Sequence, residues 1–268
     1  MDPAAIARTV LAAIDGGGRV EPFTATDSAF SETDAYQAAA QLRQLRVARG
    51  ETPVGRKIGF TNRNIWDEYG VYQPIWGDVY DTTLRNVSAG HRVKVSQLPE
   101  PRIEPEIVLG LDGDITPEMS VDEIARSIGW VAHGFEFVQS IFPDWRFRVA
   151  DCVADGGLHG LLVIGPRRLV PESQRATLAA DLSGLNITLS RNDGPVDTGS
   201  GANVLDGPIQ ALAHLAAVLG KDRLNPPLRA GELVTTGTLT RAFPVLPGER
   251  WSTEIAGYDL PGLSVEIA

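Results

Sequence analysis

Apolar residues recur at helical spacing in two segments near the start of the chain. Asp2 and Pro3 supply a cap and a first-turn proline, and glycines at 16–18 end the pattern, which predicts a helix to about residue 13. A second apolar stripe, preceded by Ser31, continues to Gly50 and predicts a second amphipathic helix. Both helices are expected to cover the outside of a sheet.

From residue 54 onward the pattern is that of strands. Short runs rich in apolar residues, separated by turn residues, predict strands at 54–60, 93–95, 103–111, 129–138, 161–164, 185–190, 233–240 and around Glu254 and Val265. Turn-forming residues predict hairpins at 192–194 and 257–262. The fold class is therefore α+β, with a curved, strand-rich core.

Other segments interrupt these strands. A capping box opening at Ser120 and an apolar stripe over 205–219 predict two more helices. Thr61 is expected to cap a short helix, and 72–81 is expected to be a turn-rich loop because it contains proline and glycine. We find no flexible linker, so a helical N-terminal portion (1–85) is expected to pack on a catalytic portion (86–268) as one continuous unit.

Composition narrows the class of protein. A net charge of -10 opposes binding to nucleic acid, which normally requires a basic patch. No apolar run is long enough to span a membrane and no targeting segment is visible, so we expect a soluble, cytoplasmic protein without a membrane partner. The single cysteine, Cys152, excludes an internal disulfide and a cysteine-rich zinc site.

Two acidic residues on one predicted strand point to a metal site. Glu104 and Glu106 are two residues apart, so both side chains face the same side, about 6.6 Å apart along the strand. Two carboxylates this close repel each other, but the arrangement becomes favourable if a divalent cation lies between them. Glu136, between two phenylalanines on another predicted strand, is the expected third ligand. The alternative is that the first two lie on the wet face of an edge strand, paired with arginines such as Arg102.

Several segments occur in an order that resembles a known family. They are Val54–Gly59, Arg102–Ile107, Glu136–Val138 followed by Asp144-Trp145, Val153–Gly156, Gly199–Gly201 leading into Leu205–Pro208, and Leu228–Glu232 with Thr236–Leu239. Together they resemble the 2-oxopent-4-enoate hydratase and 4-oxalocrotonate decarboxylase family of the fumarylacetoacetate hydrolase superfamily. The resemblance covers nearly the whole chain. It implies a mixed β-roll, a Mg²⁺ or Mn²⁺ ion, and small 2-oxo or 2-hydroxy-dienoic acids as substrates.

The resemblance also implies roles for individual residues. Glu104, Glu106 and Glu136 match the metal ligands, and oxygen-only ligation favours Mg²⁺ over zinc. Lys57 matches an active-site lysine that orients a carboxylate, or relays a proton if burial lowers its pKa. Asp155 matches an acid that orients this lysine or activates water. For Lys57 the alternative is a surface lysine, and for Asp155 it is a turn cap.

Further residues are expected to contact the substrate. Thr238 matches a position that binds the substrate carboxylate, although a plain strand threonine fits equally well. Of the four histidines, His159 is the one expected at the site. In place of the family's Gly-Val-Asp-Gln-Pro-Asp-Phe-Gly and Ala-Asp-Asn-Ala-Ser, this chain has 70–77 and 154–158 with fewer polar side chains. We therefore expect a bulkier or less polar substrate tail, contacted by Tyr72, Ile75, Trp76 and Leu158.

The resemblance leaves more than one reaction open. The leading prediction is addition of water to a 2-hydroxy-2,4-dienoate, giving a 4-hydroxy-2-oxo acid in the catabolism of aromatic compounds by meta-cleavage. Decarboxylation of a 4-oxalocrotonate-like diacid is the first alternative. Carbon–carbon hydrolysis of an acylpyruvate is a second alternative. In the superfamily this reaction usually depends on a histidine and glutamate pair near the N-terminus that activates water, whereas the first histidine of this chain is His91. A non-catalytic partner subunit is a third. A homo-oligomer, or a complex of hydratase with decarboxylase, is expected from the resemblance alone.

Overall fold

A computed structural model describes residues 1–87, 90–192 and 194–268 of the chain. Its α-helices, within these ranges, are α1 (Pro3–Gly16), α2 (Phe23–Thr26), α3 (Glu32–Ala48), α4 (Trp66–Tyr69), α5 (Val121–Arg126), α6 (Val149–Ala154), α7 (Glu172–Arg175), α8 (Leu178–Gly184) and α9 (Pro208–Leu219). None of them is long and apolar enough to cross a membrane.

The strands form two sheets. They are β1 (Pro53–Gly59), β2 (Ile75–Tyr80), β3 (Leu84–Asn86), β4 (His91–Val93), β5 (Arg102–Leu111), β6 (Ile128–Val138), β7 (His159–Ile164), β8 (Arg168–Leu169), β9 (Asn186–Arg191), β10 (Gly194–Ser200), β11 (Leu233–Thr238), β12 (Phe243–Pro244), β13 (Arg250–Ala256) and β14 (Ser264–Ile267). The mixture of helices with curled sheets confirms the predicted α+β class.

The larger sheet has nine strands and carries β5 and β6 at its centre. Its order is β2-β1-β11-β5-β6-β7-β3, with β12 paired to β5 and β8 paired to β6. The smaller sheet has the order β10-β9-β13-β14-β4. Phe135 and Phe137 of β6 pack against Trp251 of β13 and Leu189 of β9, so a continuous apolar layer joins the two sheets. The opposite face of β6 is left for other elements to cover.

The N-terminal helices cover part of that opposite face. Ile6 and Val10 of α1, with Ala38 and Leu42 of α3, share a buried cluster with Val153 of α6. The N-terminal segment also supplies β1 and β2 to the large sheet, so its strands are integral to the core. The boundary between residues 85 and 86 stays a prediction.

The helix ends follow the signals in the sequence. The side chain of Asp2 accepts a hydrogen bond from Ala4, and Gly17 ends α1 in the left-handed conformation with φ of 62°. Ser31 and Ser120 each form a capping box, at α3 and α5. Asn62, rather than Thr61, caps the short helical turn at 63–65, because its side chain accepts from the Asn64 N–H.

One other prediction needs correction. The segment expected to be a turn-rich loop contains strand β2, which pairs antiparallel with β1 from Pro53 to Gly59. A Cβ at Gly77 in this strand would lie 1.9 Å from the carbonyl oxygen of Gly156, so the glycine permits close packing here rather than a turn. Helices α2, α6, α7 and α8 were not predicted.

Both predicted hairpins are present in the strand pairing. Strand β9 pairs antiparallel with β10, and β13 pairs antiparallel with β14. The middle residue of the first turn, Asp193, lies outside the described residues.

Candidate active site

Three acidic side chains meet on one face of the large sheet. Glu104 and Glu106 lie two residues apart in β5, and Glu136 of β6 is the direct cross-strand partner of Glu104. Each offers a carboxylate oxygen, and these oxygens all lie within 4.8 Å of one another. The phenylalanines on either side of Glu136 point to the other face, as the alternation along a strand requires. The structure thus brings together the three residues predicted as metal ligands.

The alternative of a wet edge strand is wrong. Strand β5 lies between β11 and β6, and the side chains of Glu106 and Glu136 are fully buried. The Arg102 guanidinium donates to the Tyr69 hydroxyl at 2.5 Å and stacks over Trp145 at 4.1 Å. An arginine so placed does not neutralise the buried pair directly, so the carboxylates need another source of positive charge.

The electrostatics of the three glutamates are unequal. Burial raises the pKa of Glu104 to about 7, although the Lys57 ammonium opposes the shift. Burial, reinforced by Glu136 and Glu104, raises the pKa of Glu106 well above its ordinary value. Burial also acts on Glu136, but the Lys57 ammonium and a hydrogen bond from His159 outweigh it, and its pKa falls to about 2. Without a cation, the lowered pKa of Glu136 therefore favours its carboxylate form, whereas the raised pKa values of Glu104 and Glu106 favour protonation.

The donor set fits a hard divalent cation. Glu106 Oε1 is buried and has no hydrogen-bond partner among the described residues, while Glu106 Oε2 accepts from the Gly237 N–H at 2.8 Å. Gly237 has φ of 98°, and a Cβ there would lie 1.8 Å from Thr61 Oγ1, so only glycine brings this N–H to the glutamate. Clustered carboxylate oxygens are typical ligands of Mg²⁺, Mn²⁺ and Ca²⁺.

Lys57 lies beside the glutamates. It is located on β1 with a side chain only 3% exposed, and its ammonium donates to the Gly157 carbonyl at 2.9 Å. The same nitrogen lies 3.2 Å from Glu136 Oε2. Burial alone would lower the pKa of Lys57, as the sequence suggested, but the three carboxylates outweigh burial and raise it. The alternative of a surface lysine is therefore wrong.

His159 supports a glutamate from behind. Its Nδ1 lies 2.8 Å from Glu136 Oε1, and its Nε2 lies 2.8 Å from Thr83 Oγ1. The ring thereby fixes the orientation of Glu136, as partners of metal ligands commonly do. His133, by contrast, donates from Nδ1 to the Glu106 carbonyl at 3.0 Å, its Nε2 lies 2.8 Å from Thr253 Oγ1, and the ring is part of the core.

A cavity opens beside Glu104 and Lys57. Its described lining consists of Lys57, Gly59, Phe60, Ile65, Tyr69, Glu104, Val138, Trp145, Gly157, Leu158, Gly237 and Thr238. Two residues predicted to bind substrate, Leu158 and Thr238, are among them. The Thr238 hydroxyl donates to the Thr240 carbonyl at 3.0 Å, so its proton is already committed. The Glu104 carboxylate, the Lys57 ammonium and several apolar side chains therefore share one space.

The other predicted residues lie elsewhere. Ile75 packs in the apolar cluster beneath the N-terminal helices, and Tyr72 is 62% exposed. Trp76 and Asp155 line a second cavity, together with His159. The Asp155 carboxyl is buried without a hydrogen-bond partner among the described residues, and burial raises its pKa well above the ordinary value. Asp155 therefore lies behind the site, where burial favours its protonated form.

Sequence reasoning missed three aromatic residues of the site. Phe60, Tyr69 and Trp145 come from separate loops and a short helix, and no periodicity connects them. The one available signal was the Asp144-Trp145 pair, which carried the family resemblance without being given a role.

Comparison with known proteins agrees with this geometry. Residues 82–263 match the model of the family described as fumarylacetoacetate (FAA) hydrolase, C-terminal. The chain is 32% identical over 237 residues to a 2-hydroxyhexa-2,4-dienoate hydratase of Comamonas testosteroni, covering 88% of this chain and 87% of that one. It is 33% identical over 253 residues to a 2-keto-4-pentenoate hydratase of Paraburkholderia xenovorans, covering 94% and 90%.

A solved structure is also similar over almost the full length. It is a 4-oxalocrotonate decarboxylase from Pseudomonas putida G7 complexed with magnesium and adipate, with a TM-score of 0.89, 26% identity and coverage of 99% of this chain and 97% of that one. The chain belongs to the 2-oxopent-4-enoate hydratase and 4-oxalocrotonate decarboxylase family of the fumarylacetoacetate hydrolase superfamily. The resemblance found in the sequence is thereby confirmed.

Proposed function

We propose that this protein is a divalent-metal-dependent hydro-lyase that adds water to a 2-hydroxy-2,4-dienoate and forms a 4-hydroxy-2-oxo acid. The observation that carries the proposal is the meeting of three glutamates and a buried lysine beside one cavity. Two relatives with at least 32% identity are hydratases of a dienoate or of a 2-keto-4-enoate. The reaction adds the elements of water without redox change, so it requires no redox cofactor.

The roles of the residues follow from their contacts. Glu104, Glu106 and Glu136 would hold the cation, which when bound supplies Lewis acidity toward the oxygens of a 2-oxo acid. The Lys57 ammonium donates to the Gly157 carbonyl and lies 3.2 Å from Glu136 Oε2, so its three N–H groups are not all committed and could bind a substrate carboxylate or hold a proton at Nζ. The buried walls of the cavity keep bulk water away from these groups.

Asp155 takes a second place in the proposal. Its carboxyl group has no hydrogen-bond partner among the described residues, burial raises its pKa, and the Lys57 charge opposes that shift. We assign it to the environment of Lys57 rather than to direct contact with substrate, because it lines the second cavity. Thr238 is assigned to the substrate carboxylate through its position on the cavity wall, where its hydroxyl would have to exchange its bond to the Thr240 carbonyl for one to the substrate.

A second candidate is decarboxylation of a 2-oxo diacid of the 4-oxalocrotonate type. The observation that favours it is the similarity to a 4-oxalocrotonate decarboxylase over 99% of this chain. Both reactions need the same acid-binding end of the site. They differ in whether the substrate carries a second carboxylate and in whether CO₂ leaves.

The test measures both reactions on the same protein. Purified enzyme is freed of metal by chelation, supplied with Mg²⁺ or Mn²⁺, and mixed with a 2-hydroxy-2,4-dienoate or with 4-oxalocrotonate. Loss of dienoate absorbance with no CO₂ release, dependent on metal and abolished in Glu136→Gln, supports the hydratase. Release of CO₂ from the diacid supports the decarboxylase. Intact metal binding with neither substrate consumed would favour a non-catalytic partner subunit.

Finer assignments belong to the same proposal. We propose Mg²⁺ as the ion because every clustered ligand is a carboxylate, and Mn²⁺ as the substitute. We propose the cytoplasm on the basis of the single, buried Cys152. A homo-oligomer, and a complex of hydratase with decarboxylase, are proposed from the family alone. Size-exclusion chromatography with light scattering tests the first of these.

A further inference from the structure

The wall of the site cavity has an unusual backbone. Phe60, Trp145 and Leu158 have φ angles of 54°, 57° and 62°, in the left-handed region. The described residues include eight non-glycine residues with positive φ, and three of them line this one cavity. This conformation is strained for a non-glycine residue and persists only where the surroundings impose it. A concentration of strained residues at one cavity points to a function of that wall.

Hydrogen bonds fix two of these residues. The Phe60 carbonyl accepts from the Trp66 indole N–H at 2.8 Å. The Leu158 carbonyl accepts from the Gln139 N–H at 2.9 Å, at the end of β6. Both conformations are therefore held by contacts with neighbouring segments rather than by local preference.

Trp145 is held from two sides. Its indole N–H donates to the Glu100 carbonyl at 3.1 Å, and Glu100 Oε1 accepts from the Asp144 N–H at 3.2 Å. Glu100 and Asp144 themselves have positive φ, at 47° and 58°. The Arg102 guanidinium covers the Trp145 ring at 4.1 Å. Three strained residues thus cooperate to place one aromatic side chain on the cavity wall.

The chemistry of the three side chains is the informative point. Glycine, asparagine and aspartate adopt positive φ at lower cost than large apolar residues do. The chain nevertheless places phenylalanine, tryptophan and leucine at these positions. An apolar surface is therefore what the strain maintains. A charged group buried against these three side chains would lose hydration without gaining a partner from them.

We propose that Phe60, Trp145 and Leu158 form the subsite for the substrate tail, and that it selects an uncharged, apolar tail over one ending in a carboxylate. The inference rests on the proposed function only in assigning the acid end to the glutamates. It assigns tail selection to residues other than Tyr72, Ile75 and Trp76, which the sequence had suggested.

The test compares two ligands that differ only at the end of the tail. Metal-loaded protein is titrated with 2-oxohexanoate and with 2-oxohexanedioate, which carries a second carboxylate at the same chain length. The wild type should bind the monoacid at least about tenfold more tightly, because a charge buried against an apolar wall loses hydration that the wall does not replace. Equal or tighter binding of the diacid would overturn the proposal and would make Arg102 the partner of the second carboxylate.

Leu158→Asn is the diagnostic variant. Asparagine tolerates positive φ, so the backbone is kept while the wall becomes polar, and the preference for the monoacid should fall at least about fivefold. Phe60→Asn is a second variant of the same design if the first folds poorly. Leu205→Asn is the matched control, because Leu205 has φ of 51° but does not line the cavity.

The outcomes separate this proposal from the proposed reaction. A monoacid preference that disappears in Leu158→Asn but not in Leu205→Asn supports the subsite, even if no dienoate is turned over. Dienoate turnover by an enzyme without tail preference, or a preference unchanged in both wall variants, overturns the subsite alone. Failure of the metal-loaded protein to bind either acid would overturn both proposals.

Discussion

Replacing Glu106 with glutamine should separate the cation site from the fold. The side chain is fully buried, Oε2 accepts from the Gly237 N–H at 2.8 Å, and Oε1 has no partner among the described residues. A glutamine has nearly the same shape and its amide oxygen can keep the bond to Gly237. The substitution removes the charge and one ligand oxygen. Without metal, the free energy of unfolding of Glu106→Gln should therefore lie within about 1 kcal/mol of that of the wild type.

The magnitude with metal follows from linkage. A ligand at one hundred times its dissociation constant stabilises the folded state by about 2.7 kcal/mol. For a chain of this size that corresponds to a rise in Tm of roughly 5–10 °C, taking about 2–4 °C per kcal/mol. The wild type should show this rise with Mg²⁺, whereas Glu106→Gln should show little or none at the same concentration, because its site lacks a carboxylate.

The assay is thermal unfolding followed by circular dichroism, first with EDTA and then across a Mg²⁺ titration. Glu254→Gln, an exposed substitution on β13, is the control and should behave as the wild type. An equal rise in Tm for Glu106→Gln would show that the cation does not use this carboxylate. A loss of more than about 3 kcal/mol in EDTA would show that Glu106 is structural instead.

Three further predictions follow from named contacts. Lys57→Met should lower turnover about a hundredfold or more, and it should tighten Mg²⁺ binding because a competing cation is removed. Steady-state kinetics measure the first effect and calorimetry measures the second. Unchanged turnover would contradict the assignment of Lys57 to the active site. Burial lowers the pKa of His133 to about 4, so on acidification the unfolded chain binds a proton at this residue before the folded chain does. The free energy of unfolding should therefore fall by about 3 kcal/mol as pH drops from about 6.5 to about 4. Urea unfolding of the wild type and of His133→Gln across this pH range isolates the contribution, and parallel pH profiles would refute it. Gly77→Ala should destabilise the fold by about 1–3 kcal/mol or more, because its Cβ would lie 1.9 Å from the Gly156 carbonyl oxygen. Gly16→Ala should not destabilise it, because the space around Gly16 is open. Chemical denaturation compares the two variants, and equal stabilities would contradict the close packing of Gly77 on Gly156.

The central strands could be predicted because local pattern and tertiary environment agree there. The alternation Phe135-Glu136-Phe137 divides two faces, and spacing by two puts Glu104 and Glu106 on one of them. The helix ends were predictable for the same reason, since capping residues act locally. The resemblance to a family added the roles of residues that spacing could not supply.

The remaining features depend on contacts between distant segments. Strand β2 forms because β1 pairs with it, and its glycine and the preceding proline gave the signal of a loop. The sign of the Lys57 pKa shift depends on three carboxylates from two other strands. The cavity wall is assembled from Phe60, Trp145 and Leu158, which lie far apart in the chain and share no periodicity. No local pattern contains that information.

The pairing of β5 with β6 also limits how this protein can change. Glu104 and Glu136 oppose each other in a ladder that keeps one register from Arg102 to Gly110 and shifts only at its far end. Since neighbouring side chains alternate between faces, a single inserted or deleted residue within this stretch would send one glutamate into the layer between the sheets. Length variation among descendants of this sequence should therefore accumulate outside the ladder, whereas the interior of these two strands should vary by substitution alone.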